Sequence, residues 1–488
     1  MPDSARPDSH HPRRWAILAV LSIAQLMVVL DATVVNIALP SAQEALNFSD
    51  GSRQWIVTAY ALAFGSLLLL GGRIGDLFGR KWTFVTGLLG FAAASAVGGA
   101  AQSFEVLVGA RAMQGVFGAL LAPAALSLLT TTFPTGADRA RAFGIFGAIA
   151  GAGGAIGLLL GGILTEYLSW RWAMYVNLAF AIPAAAGAIA LVAHKPHANR
   201  PSFDLPGVVT ASGGLFALVY GLSHAETTSW SNSVTVGFLA AGVALLGAFV
   251  AIERRVAQPL LPLRVVLDRT RGGSFVAFAV AAMGIFGVFL FLTYYLQSTL
   301  GYSPVKTGLS FLPMVAALMV TATLATARLA PRFGSRPLVP GGMLLAAAGM
   351  YLLTRLGADS TYLVDILPAL IPLGLGMGLI FAPSMSAATA GVAHSDAGVA
   401  SAMVNTTQQV GGAIGTALLN TLFAAAITDY VATHAAGPAT QAAAAISGYS
   451  TAFGWATGIF VAGAIITAAI LPSGAPAPST EPELAFAH

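Results

Sequence analysis

The sequence predicts an all-α polytopic membrane protein: two halves of six transmembrane helices with a helix pair inserted between them, fourteen spans in all. Three observations predict it. The 488 residues are 57% hydrophobic and 9% charged, with a mean hydropathy of +0.79. A soluble domain carries about 25% charged residues and could not cover a water-facing surface with so few. Long apolar runs recur along the whole chain, and motifs of its first part return in its second at a nearly constant offset. The absence of cysteine removes disulfides, thiolate metal sites and cysteine nucleophiles.

A crossing helix needs roughly 20 apolar residues. Runs of that kind occupy 15–39, 54–70, 82–101, 105–131, 141–164 and 172–193, then 205–223 and 234–252, and finally 274–296, 307–328, 338–354, 362–386, 399–427 and 449–471. The chain therefore divides into a tail (1–14), a first half (15–200), an inserted pair with its basic loop (201–272), a second half (273–471) and a closing tail (472–488). The first run follows Arg13 and Arg14, as a signal peptide would. It is too long for one, contains Asp31 and has no small-x-small cleavage site, so it reads as a retained helix.

Basic residues favour the cytoplasmic side of short loops. With the amino terminus inside, cytoplasmic segments hold eighteen of the 23 Lys and Arg residues, among them Arg80, Lys81, Arg254, Arg255 and Arg271. Outer segments hold Arg53, Arg171, Lys306 and Arg355, and Arg111 alone falls inside a span. Both termini are expected in the cytoplasm.

The string Arg73-Ile74-Gly75-Asp76-Leu77-Phe78-Gly79-Arg80-Lys81 is echoed by Arg328-Leu329-Ala330-Pro331-Arg332-Phe333-Gly334-Ser335-Arg336, a shift of 255 residues. Gly153-Gly154-Ala155-Ile156-Gly157 returns as Gly411-Gly412-Ala413-Ile414-Gly415 at a shift of 258, and Ala122-Pro123 as Ala382-Pro383 at 260. Two parallel halves with a site near the midplane between them are one architecture of secondary transporters. On these repeats the chain resembles the major facilitator superfamily over nearly its full length, and its fourteen spans resemble the drug:proton antiporter branch of fourteen-helix exporters.

Two charges lie deep in the spans. Asp31 sits within Leu30-Asp31-Ala32-Thr33-Val34-Val35-Asn36, where a carboxylate costs about 2.5 to 3.5 kcal/mol at the bilayer centre and must face protein or water. Arg111 sits in Gly109-Ala110-Arg111-Ala112-Met113-Gln114-Gly115. Asp31 is about nine residues from its helix end and Arg111 about six from its own, roughly 14 and 9 Å at 1.5 Å per residue, so an ion pair is feasible. Burial and the guanidinium act on the carboxyl in opposite senses, and movement of Arg111 would switch its proton affinity. Both strings resemble motifs of the antiporter branch, and the resemblance implies that Asp31 and Arg111 take part in proton coupling. A purely structural pair is the alternative.

Gly72 and Gly79 permit a tight turn in the 72–81 segment, while Asp76, Arg80 and Lys81 suit a charge latch. This segment resembles the superfamily's signature loop, except at Leu77, where a basic residue is usual. The second copy has Pro331 in place of the acid. In the fifth span, Gly153, Gly154, Gly157, Gly161 and Gly162 allow close helix contact. The run resembles the antiporter motif, with Leu158 replacing the usual proline. Ser169-Trp170-Arg171-Trp172-Ala173-Met174-Tyr175-Val176-Asn177 resembles the outer-loop signature of the fourteen-helix branch.

Gln25, Asn36, Tyr60, Gln114, Tyr294, Gln297, Asn405, Gln408 and Gln409 are the polar candidates for a substrate cavity, with the 405–409 cluster expected opposite Asp31. Interhelical hydrogen bonds would explain any one of them equally well. The expected function is proton-driven export of amphipathic drug-like or antibiotic molecules by a monomer in the cell membrane. No cofactor, metal or nucleic-acid partner is implied, the proton gradient being the energy source, since no ATP-binding loop is present. A proton-coupled uptake symporter and a non-transporting sensor are the alternatives. An intramembrane enzyme is disfavoured by the lack of a metal set or a nucleophile and base pair within the spans.

Overall fold

The computed structural model describes residues 13–49, 52–133, 136–193, 204–256, 259–389, 392, 397–435 and 437–472. Every regular element among them is helical. The first half comprises α1 (Arg14–Leu46), α2 (Gln54–Phe78), α3 (Arg80–Gly99), α4 (Phe104–Thr132), α5 (Gly136–Tyr167) and α6 (Trp172–Leu191). The inserted pair is α7 (Leu205–Thr227) and α8 (Ser233–Glu253). The second half comprises α9 (Arg269–Tyr294), α10 (Pro304–Leu324), α11 (Ser335–Leu353), α12 (Leu367–Thr389), α13 (Ala397–Thr433) and α14 (Pro438–Ile470). Thirteen of these are long and apolar enough to cross a membrane over their described residues, and in α5, 32 residues long, the shorter stretch Gly153–Tyr167 is apolar over its described residues.

Local chemistry sets the helix ends. Ser103 caps α4 by accepting from the Val106 amide, Asp204 caps α7 by accepting from Gly207, and Asp268 caps α9 by accepting from Thr270 and Arg271. One boundary departs from the sequence pattern. The first span was expected to stop at residue 39, before Pro40, but α1 runs through that proline to Leu46 and ends on Asn47 in a left-handed conformation (φ 51°). Proline removes one backbone hydrogen bond and tends to kink a helix rather than always ending it, and asparagine tolerates the left-handed cap. Asp31 is thus fifteen residues from the end of α1, about 22 Å along the axis, not nine.

The internal repeat is visible in the backbone. Gly79 (φ 95°) joins α2 to α3, and Gly334 (φ 74°), its echo 255 residues on, stands immediately before α11. Residues with a Cβ rarely adopt such angles, so glycine is required at both turns. The helix crossings repeat as well. On α4 a Cβ at Gly115 would strike the Tyr60 carbonyl of α2, and on α12 one at Gly374 would strike the Met314 carbonyl of α10.

The halves meet along two seams. At one, Gly65 of α2 packs on Gln409 and Val410 of α13. At the other, Gly162 of α5 packs on Pro304 and Val305, and Gly308 of α10 on the Leu158 carbonyl. The inserted pair covers the first seam. The Ser212 hydroxyl of α7 donates to the Ser66 carbonyl of α2 at 2.6 Å, and Val219 packs with Ala61, Leu62 and Ala413. Outermost α8 exposes Val234, Val236 and Val243, as a lipid-facing helix should.

Candidate functional site: a buried ion pair and an aromatic vestibule

Asp31 and Arg111 form a direct ion pair, Arg111 Nη1 to Asp31 Oδ2 at 2.6 Å, with Asp31 fully buried and Arg111 2% exposed. Five helices of the first half, α1 with Asp31 among them, build the site. From α4, one turn after Arg111 and so on the same face, Gln114 donates Nε2 to Asp31 Oδ1 at 2.9 Å and accepts from Arg111 Nη1 at 2.9 Å. From α6, Asn177 donates Nδ2 to the same Oδ1 at 2.8 Å. From α3, the Ser95 hydroxyl accepts from Gln114 at 2.7 Å and Asn177 at 3.3 Å. Arg111 Nε donates to the Ile56 carbonyl of α2 at 3.0 Å, and its guanidinium lies 4.4 Å from the centre of the Tyr60 ring.

The carboxylate thus receives three donors. A buried charge persists only when paired and hydrogen-bonded, and a guanidinium cannot surrender its own proton.

The glycines of α5 bring α1 into position. Gly153 faces Leu26 and Val29, Gly157 faces Thr33 and Gly161 faces Val34, one stripe at a spacing of four. Gly162 turns instead to α10, and Gly154 faces open space. Leu158, where the antiporter motif usually has proline, is fully buried and presents its carbonyl to Gly308.

In the 72–81 segment Gly72 lies next to Pro123 of α4, and Lys81 Nζ donates to the Ile189 carbonyl of α6 at 2.8 Å. Arg73 reaches the Pro259 carbonyl, in the loop after α8, at 2.9 Å. Arg80 is half-buried at the start of α3, and the Asp76 side chain lies outside the described residues.

A cavity of about 770 Å³ opens at the end of the bundle bearing the α1–α2 loop, lined by Gln43, Glu44, Arg53, Tyr294, Gln297 and Tyr449 among others. Of the nine cavity candidates, Tyr294 and Gln297 line it. Gln114 belongs to the ion pair, Tyr60 stacks against Arg111, and Asn36 donates to the Ala32 carbonyl of its own helix at 2.8 Å. Gln25 is half-buried on α1, two turns before Asp31. The expected cluster opposite Asp31 is displaced along the bundle. Gln409 packs beside Gly65, nine residues beyond Ile56 on α2, with Asn405 and Gln408 half-buried on the same stretch of α13.

Sequence reasoning missed Ser95 as a partner of the pair, since a serine in a Gly/Ala-rich helix gives no signal. Asn177 stood inside the Ser169–Asn177 signature, where a buried amide at the foot of an outer loop was the available hint. Arg53, counted as a loop cation, is 1% exposed and boxed by aromatic rings.

Comparisons with known proteins agree with this architecture. Among solved structures, an auto-inhibited POT family peptide transporter superposes with a TM-score of 0.68 at 16% identity, covering 96% of this chain and 99% of that one. A bacterial homolog of the human lysosomal transporter Spinster, inward-facing and occupied, gives 0.66 at 17% identity over 96% and 99%. Both likenesses concern the fold. Among sequence relatives, the puromycin resistance protein pur8 of Streptomyces alboniger is 50% identical over 473 residues, 96% of this chain and 94% of that one. The cephamycin export protein CmcT of Amycolatopsis lactamdurans is 39% identical over 83% and 84%, and the tetracenomycin C resistance and export protein of Streptomyces glaucescens 35% over 86% and 77%. Residues 21–416 match the family model of the Major Facilitator Superfamily, and the chain belongs to that superfamily.

Proposed function

We propose that this protein exports amphipathic, antibiotic-like molecules from the cytoplasm in exchange for protons, with Asp31 as the proton-accepting group and Arg111 as its counter-charge. The observation that carries the reading is the fully buried Asp31–Arg111 pair at 2.6 Å with its amide donors. Relatives covering most of this chain are named for antibiotic resistance or export, which supports an organic substrate and the outward direction.

In this reading the halves rock about their two seams to expose the space between them alternately to each side. With Asp31 charged, Arg111 is held on it. When Asp31 takes a proton, Arg111 must find other partners, and the helices carrying it favour a second arrangement. A proton moving down 100 mV supplies about 2.3 kcal/mol, enough at one proton per cycle for roughly a fiftyfold gradient of a neutral substrate. The concentration of basic residues on the α2–α3 loop side supports placing that side, with both chain ends, in the cytoplasm of a cell-membrane protein working as a monomer.

Inverted membrane vesicles test the proposal. An imposed acid-inside gradient should load them with puromycin or a fluorescent amphiphile and an uncoupler should empty them. Loading instead under the opposite gradient would establish an uptake symporter.

A further inference from the structure

The α1–α2 loop end of the bundle is held together by a reciprocal clasp between the halves. Arg53, at the start of α2, reaches across so that its guanidinium carbon lies 4.0 Å from the ring centre of Tyr294, 4.7 Å from Phe423 and 5.9 Å from Phe291. All three rings belong to the second half, and Phe291 stacks on Phe423 at 5.3 Å to close the box. In the opposite direction Gln297 donates to the Ile37 carbonyl of α1 at 3.1 Å. Gln297 stands in a π-helical turn, Tyr295–Thr299, that continues α9, and such turns often mark functional positions. Arg53, Tyr294 and Gln297 line the vestibule of about 770 Å³.

Both arms rest on the helices that hold the ion pair. Ile56, whose carbonyl accepts from Arg111 Nε, lies three residues after Arg53 in the first turn of α2. Ile37, which accepts from Gln297, lies six residues after Asp31 on α1. The guanidinium that neutralises Asp31 therefore also anchors the turn that carries Arg53.

We propose that Arg53 is a gating residue that closes the passage at this end by docking in the Phe291/Tyr294/Phe423 box, and that the first turn of α2 transmits the state of the Asp31–Arg111 pair to it. A cation over desolvated aromatic faces is a strong but short-range contact. Separation of the halves must remove it all at once, which makes it a two-state latch rather than a spring. Protonation of Asp31 strips Arg111 of its counter-charge, its shift frees the Ile56 carbonyl, and the turn carrying Arg53 loses its lateral anchor. Among the described residues, Asp31 faces Arg111 from α4 and Tyr60 from α2, while Ser95 of α3, the glycine stripe of α5, Asn177 of α6 and Gln297 beyond α9 are neutral. The coupling step rests on the proton role proposed above for Asp31, whereas the box itself does not.

The chain contains no cysteine, so Ser49→Cys and Ala358→Cys, both exposed and in opposite halves at this end, can carry spin labels at unique sites. Distances in lipid nanodiscs would be compared between about pH 4 and about pH 8.5, a range whose lower end lies near the ordinary aspartate value of about 3.9. The protein with native Arg53 should gain a longer-distance population at the acid end. Arg53→Gln, and Tyr294→Leu from the other side of the box, should show that population throughout the range. Asp31→Asn should show it throughout and release no protons. Short distances in Arg53→Gln and Tyr294→Leu, both eluting as folded monodisperse protein, would overturn the gate. Short distances in Asp31→Asn beside long ones in Arg53→Gln would overturn transmission through α2. Proton release by Asp31→Asn would overturn the proton role of Asp31 alone and leave the gate standing.

Discussion

Arg111 makes three directed contacts with one side chain, to Asp31, Gln114 and the Ile56 carbonyl, and that geometry decides what a substitution does. A lysine keeps the charge but is a point donor that cannot reproduce the planar fork. Arg111→Lys should therefore keep the fold and lower transport by at least about tenfold, equivalent to about 1.4 kcal/mol, measured as drug efflux at matched membrane abundance. Asn177→Leu removes one donor from a buried carboxylate and leaves Oδ1 a partner short. It should lower stability by about 1 to 3 kcal/mol, read as an earlier thermal transition, with wild-type stability as the contrary result. The charged members of this site were legible because a charge within an apolar run is expensive and rare, so Asp31 and Arg111 stood out at once. Ser95 and Asn177 were not, since neutral polar residues in spans usually bond to their own helix, as Asn36 does. Arg53 was hidden by its place at a helix start, where a cation reads as solvated.

At the scale of a helix, small residues fix where elements touch. A Cβ at Gly162 would approach the Pro304 carbonyl and Val305 Cα, backbone atoms that cannot step aside, whereas one at Gly154 meets nothing within 4 Å. Gly162→Ala should cost about 1 to 3 kcal/mol by overpacking the α5–α10 seam, and Gly154→Ala should be neutral or slightly stabilising by the helix preference of alanine. Thermal denaturation of the two variants side by side checks this. Equal behaviour would mean that the glycine run lowers packing bulk generally and that no single position sets the seam. The stripe was legible as a packing surface, but its division between α1 and α10 was not, because periodicity gives faces and not the neighbours they meet. Pro40 misled for a related reason. A proline marks a break only when nothing packs around it, and here Leu39 and Ala42 on either side are buried.

For the whole molecule, repeated motifs and the alternation of basic loops carry most of the fold in one dimension, since each echo ties a helix of one half to its counterpart. The position of the inserted pair was not so encoded. Its helices are largely apolar, and the Ser212–Ser66 bond, the Val219 contacts and the packing of Val208, Ala211 and Phe249 with Leu69, Leu70, Val399 and Met403 show that they cover the α2–α13 seam and touch both halves. Fourteen spans place both chain ends on one side, so reporters fused before α1 and after α14 should both be active in the cytoplasm, and one active outside would refute the topology. In the proposed cycle the proton on Asp31 is exchanged for substrate. Purified protein in weakly buffered solution, titrated with puromycin or a related amphiphile, measures that exchange through a pH indicator. Wild-type protein should release protons on binding and Asp31→Asn none, with binding retained in both; equal release from the two, or none from either despite binding, would contradict the account.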